Sequence, residues 1–199
     1  MSDQTGDLSR RDALRQLGIG VTASGAGLVS LEAAQHAHEA VALQKSAAKG
    51  EYAPKYFTAH EYQTLRRLAD LIMPGSLDAG ATEFIDYLSS QNKDMGDIYT
   101  GGIFWLDTEM NRRYGTAFLN AKPADQTALL DLIAYRRNAT PELAPGIHFF
   151  AWMRNMVVDA YYTSPVGVKD LGYMGNTASS EFSVPAEALA YALKRSLFA

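Results

Sequence analysis

The chain has no cysteine. That absence excludes disulfides, thiolate nucleophiles, iron–sulfur clusters, cysteine-ligated zinc and thioether-attached haem. Charge of one sign is also scarce. Eighteen Lys+Arg against 22 Asp+Glu give −4 over 199 residues. No basic field exists to hold nucleic acid or an anionic membrane surface. Long apolar runs are missing too. The charge-free stretch at residues 17–31 (LGIGVTASGAGLVSL) is rich in Gly, Ala and Ser, and a spanning helix needs roughly 20 strongly apolar residues. No segment alternates with period two and β-branched enrichment, so no strand is predicted. No G-x-G-x-x-G follows a strand, and no phosphate-cradling loop or G-x-S-x-G elbow occurs. No internal repeat is visible.

At the N-terminus, Ser9-Arg10-Arg11-Asp12-Ala13-Leu14-Arg15 precedes the charge-free stretch. A basic region, a modest apolar region and then small residues form the layout of an export signal. The Arg10-Arg11 pair resembles the twin-arginine signal, which is read by a translocase that carries folded proteins. Ala13 departs from the pattern, where a bulkier apolar residue is usual. The expected division is a signal peptide over residues 1–42, a linker over 43–56 and a helical domain over 57–199. Cleavage after Ala37, Ala40 or Ala42 fits the small-residue rule. The expected location is the periplasm, with retention of the signal as an anchor left open.

Within the domain the apolar period is helical. Thr58 and Glu61 form a capping-box pattern, followed by Leu65, Leu68, Leu71 and Ile72 on one face and a stop at Pro74-Gly75. Phe84, Ile85 and Leu88 follow Gly80. Residues 89–102 read as a loop. Ile103, Leu106, Met110 and Tyr114 make a third helix ending at Gly115. Pro123 opens a fourth, with Leu129, Leu130 and Ile133 on its apolar side. A fifth runs from about 147 to 162 and is apolar nearly all round, as a central helix is. Residues 163–184 read as irregular, and Pro185 opens a final helix with Leu189 and Leu193 on one side. The predicted fold is all-α, about six amphipathic helices in one compact domain.

Candidate chemistry is thin. His36 and His38 lie beside the presumed cleavage region. His60 reads as a solvated first-turn residue. His148 opens the aromatic helix and is the one histidine in a site-like context. Glu83 and Asp86 are spaced three apart, as acid–base pairs are, but read as a solvated face. Trp105 and Trp152 fit either ring stacking on a ligand or anchoring in a core or interface. No catalytic, cofactor-binding or metal site is predicted in this chain. Large apolar residues exceed what a small core hides, so His148, Trp152, Met156, Tyr161, Tyr162, Tyr173, Met174 and Asn176 are the expected partner-facing residues.

Several stretches, taken in order, resemble the small subunit (subunit 3) family of gluconate 2-dehydrogenase. They are Tyr56-Phe57-Thr58-Ala59-His60-Glu61-Tyr62 running on to Met73-Pro74, then Gly80-Ala81-Thr82-Glu83-Phe84-Ile85-Asp86. Leu106-Asp107 through Arg113-Tyr114-Gly115 follows, with Pro123-Ala124-Asp125-Gln126. Last come Phe149-Phe150 through Tyr161-Tyr162-Thr163-Ser164-Pro165 and Gly172-Tyr173-Met174-Gly175-Asn176. The resemblance implies a subunit without flavin or haem. Its partner would be a large FAD-dependent subunit of the glucose–methanol–choline type that oxidises a sugar, sugar acid or glycoside. Electrons would leave to a cytochrome c or quinone acceptor. One twin-arginine signal would then export the folded pair. Two rival expectations remain: a stand-alone periplasmic binding or scaffold domain, and an enzyme using His148 with nearby carboxylates.

Overall fold

The computed structural model describes residues 29–172 and 184–195. Eight α-helices and two short 3-10 turns make up the regular structure among these residues, with no strand, so the all-α expectation holds. Arg10, Arg11, Tyr173, Met174 and Asn176 lie outside the described residues.

The first helix, α1 (Leu31–Ala47), differs most from expectation. Ser30 caps it, its hydroxyl accepting the Ala33 N–H at 3.3 Å. Ala33, Ala34, Ala37 and Val41 recur at spacings of three and four and are buried. Small side chains on that stripe let α1 lie close against α3. The boundary expected at 42/43 therefore falls inside one continuous helix, and residues 43–47, read as linker, are its last turns. The pattern hid this helix because alanine carries too little hydropathy to mark a buried face.

Helix α2 (Ala59–Ile72) opens with the predicted capping box. The Thr58 N–H donates to the Glu61 carboxylate at 2.8 Å, and the Glu61 N–H donates back to the Thr58 hydroxyl at 3.3 Å. Helix α3 (Ala81–Gln91) is buried on every side from Ala81 to Ser89 and packs against α1, α2, α4 and α6. It shares the centre of the molecule with α6.

Helix α4 (Lys93–Tyr114) absorbs most of the segment read as a loop. The Asn92 side chain caps it by accepting the Met95 N–H at 3.1 Å. Gly101 and Gly102 sit in its middle, where they weakened the helical pattern. Gly115 ends it as expected, in the left-handed conformation with φ +73°. Helix α5 (Pro123–Ile133) starts on its proline. Helix α6 (Ala144–Tyr162) begins three residues before the predicted start, and α7 (Pro165–Asp170) occupies part of the stretch read as irregular. Helix α8 (Ala186–Arg195) is exposed along its whole length. The core runs through α1 to α6. Tyr56, Phe57, Tyr99 and Phe149 cross it as a chain of edge-to-face rings, with centroids 5.0, 6.1 and 6.4 Å apart.

Candidate functional site

The carboxylate pair on α3 is not a solvated face. Asp86 is fully buried and Glu83 is 4% exposed. Asp86 accepts four hydrogen bonds: the N–H groups of Lys55, Tyr56 and Phe57 at 2.7, 3.0 and 3.1 Å, and the Tyr52 hydroxyl at 2.8 Å. Three successive main-chain donors on one carboxylate make an anion nest from the protein's own backbone. Asp86 therefore clamps the segment that leads into α2. Glu83 meets the Lys45 ammonium of α1 at 2.6 Å. Burial first, then the Asp86 hydrogen bond and charge, push the Tyr52 hydroxyl well above its ordinary range. It stays a donor, and the cluster is committed to holding three crossings of the chain.

The histidines are likewise engaged. His60 pairs with Asp107 at 2.6 Å, joining α2 to α4. The other Asp107 oxygen accepts the Phe118 N–H at 2.9 Å, fixing the first 3-10 turn. His36 lies 3.2 Å from the Tyr87 hydroxyl. His38 lies 2.9 Å from the Thr163 hydroxyl. That hydroxyl also donates to the Asp159 carbonyl at 2.6 Å, and the Ala160 carbonyl faces the His38 ring. Burial lowers the His38 pKa. Elsewhere Glu109 holds both Arg112 and Arg113 at 2.6 Å. The Arg112 hydrogen bond leads in bringing the Glu109 carboxyl down to about 2. Among the described residues, no group of three or more His, Asp or Glu could hold a metal ion, and no helix is long and apolar enough to cross a membrane.

Aromatic side chains are among those turned outward on α4 and α6. A Cβ on Gly102 would meet the Phe149 ring at 2.0 Å, and one on Gly146 would meet the Trp105 ring at 2.2 Å. These two contacts run 102 to 149 and 105 to 146, so α4 and α6 are antiparallel and in close approach. With that contact line fixed, helical phase places Gly101, Phe104 and Thr108 of α4 on the same side as His148 and Trp152 of α6. Helix α3 covers the opposite side. Phe104 is 75% exposed. His148 is exposed and sets its ring edge-on to half-buried Trp152 at 6.4 Å. Trp105 donates its indole N–H to the Glu142 carbonyl at 3.3 Å. Tyr162, at the C-terminal end of α6, is 37% exposed and meets the Tyr161 ring edge-on at 5.0 Å.

Of the residues expected to face a partner, exposed His148 and half-buried Trp152 lie on this side; Tyr162 is exposed at the C-terminal end of α6, and half-buried Tyr161 turns its ring toward Gly75, in the loop after α2. Met156 does not belong with them. It is 1% exposed, part of the core cluster, because its position on α6 turns it inward. Phe104 was missed, although its signal was legible: it lies between inward-facing Ile103 and Leu106, off the apolar stripe. A separate groove of about 380 Å³ opens between α2, α5 and α6, lined by Leu71, Leu130, Phe150, Asp131 and Arg154 among others.

Buried charges that tie chain crossings together, with Phe104 and His148 exposed on one helix pair, describe an all-helical domain whose polar groups are spent on its own packing. The chain belongs to the gluconate 2-dehydrogenase subunit 3 family, whose sequence model matches residues 59–179. The family is that of one subunit of a dehydrogenase complex. Comparison with curated proteins and with solved structures returned no match.

Proposed function

We propose that this chain is the non-catalytic small subunit of a periplasmic, FAD-dependent dehydrogenase of the glucose–methanol–choline type. Its large partner oxidises a sugar, sugar acid or glycoside and passes electrons to a cytochrome c or similar acceptor. The chain supplies no reacting group. It stabilises the flavoprotein and, through Arg10 and Arg11, carries it folded through the twin-arginine translocase. The family match over residues 59–179 carries this reading. The outward aromatic side of α4 and α6 supports it, since Phe104 and His148 are exposed beside half-buried Trp152, and Phe and Trp are residue types enriched at interfaces.

Co-expression with the flavoprotein encoded beside it tests the proposal. The large subunit should be recovered outside the cytoplasm, loaded with flavin and co-purifying with this chain. Phe104→Ser combined with His148→Ala should weaken co-purification at least about tenfold while leaving the melting temperature unchanged, as exposed hot-spot residues do. A large subunit that is exported and flavin-loaded without this chain sinks the idea.

A further inference from the structure

Helix α1 is tied to the domain by contacts that no removable leader would make. Ala34 and Ala37 are fully buried, and Ala33 and Val41 nearly so. The Val29 N–H donates to the Asp159 carboxylate of α6 at 3.2 Å. His38 hydrogen-bonds the Thr163 hydroxyl at the end of α6, and its ring lies 4.8 Å from that of Phe84. His36 meets Tyr87. Lys45 pairs with Glu83, whose side chain is only 6% exposed. These contacts span the helix from its cap to its last turn and reach both central helices, α3 and α6.

Cleavage after Ala37 would remove the Ser30 cap, the buried alanines and the Asp159 contact. It would also leave a ten-residue remnant that is too short to hold helical form alone. Cleavage after Ala42 would leave Lys45 on a stub of five helical residues, with Glu83 facing an unanchored partner. Both cuts uncover the sides of α3 and α6 that α1 now closes.

We infer that Leu31–Ala47 is the first core helix of the mature domain and that the export signal is cut upstream of Val29, between Ala26 and Gly27. This rests on the export reading above. The sequence supplies what such a cut needs. Residues 17–23 (LGIGVTA) give a seven-residue apolar region, the lower end of the signal-peptide range of about 7–15. Ser24 and Ala26 are the small residues at the third and first positions before the bond. A membrane-bound signal protease would hydrolyse the Ala26–Gly27 peptide bond. Water would add across it to leave a carboxylate on Ala26 and a free amine on Gly27. The new terminus would then lie two residues ahead of Val29 in the sequence.

Two measurements on the full chain decide the matter. The first is the intact mass and N-terminal sequence of the protein recovered outside the cytoplasm. A start at Gly27 is expected, and a start beyond Ser30 overturns the inference. The second is thermal unfolding. Ala37→Asp places a charge at a fully buried position and should lower the melting temperature by on the order of 10 °C or more, or prevent folding. The milder Ala37→Ser should lower it by a few degrees. Glu39→Ala, on the exposed side of the same helix, should leave it unchanged. Equal melting of all three variants and the parent would overturn the place given to α1. If the protein never leaves the cytoplasm, the export reading fails and takes the cut with it, while the melts still decide whether α1 belongs to the domain.

Discussion

Asp86 shows how far a residue's role is set by its surroundings. It is a carboxylate with no exposure, made tolerable by three main-chain N–H donors and one tyrosine hydroxyl. Asp86→Ala would strand those donors in the interior and is expected to cost about 3–5 kcal/mol. Asp86→Asn, which keeps the shape but turns one acceptor into a donor group, should cost less. Denaturant unfolding of the two variants measures both losses, and an Ala variant as stable as the parent would refute the clamp. The i, i+3 spacing of Glu83 and Asp86 was visible in the sequence. Their burial was not, because three of the four partners of Asp86 are backbone N–H groups that residues 55–57 would carry whatever their side chains. His60 makes the same point. Its helical turn was predicted correctly, but its partner, Asp107, comes from a helix 47 residues away.

Between elements, glycine decides how close helices come. Gly102 and Gly146 have no room for a methyl group, since the Phe149 and Trp105 rings lie at 2.0 and 2.2 Å from where Cβ would stand. Gly102→Ala and Gly146→Ala should each cost about 1–3 kcal/mol by forcing α4 and α6 apart. Gly101→Ala, one residue away with open space around it, should be neutral or stabilising by up to about 1 kcal/mol. Thermal melts of the three variants test the register directly, and a Gly102→Ala variant as stable as Gly101→Ala would contradict it. At this scale the capped, strongly periodic helices were legible: α2 with its Thr58–Glu61 box, α5 with Pro123, and the end of α4 at Gly115. The start of α4 was not. Adjacent glycines read as a loop until the ring packed on one of them supplies the reason for it.

Across the whole molecule, α1 makes stability depend on pH. Burial lowers the His38 pKa below its ordinary 6.5, so the unfolded chain takes up the proton more readily than the folded one. The stability that neutral His38 supports is therefore complete above about pH 6.5 and declines as pH falls below that value. The groups facing it are the Thr163 hydroxyl, the Ala160 carbonyl and the Phe84 ring. Asp159, on the same turn of α6, has its pKa raised by burial. It acts with the opposite sign, its folded form gaining relative stability as pH falls through the raised value. The His38 contribution should lower the melting temperature as pH falls below about 6.5, and His38→Gln should flatten that part of the slope. An unchanged slope in the variant would remove His38 as its cause.

The sequence by itself determined the helical class, the positions of the strongest caps and stops, and the order of motifs that marks the family. These rest on local chemistry: apolar spacing, side-chain caps, and proline and glycine dihedrals. Only the tertiary structure decided that an alanine-striped segment is a core helix, that two acidic residues are buried clamps, and that Met156 faces inward while Phe104 faces out. Each of those depends on which atoms from distant parts of the chain arrive beside a residue, and burial and hydrogen-bond partners arise only when the helices pack.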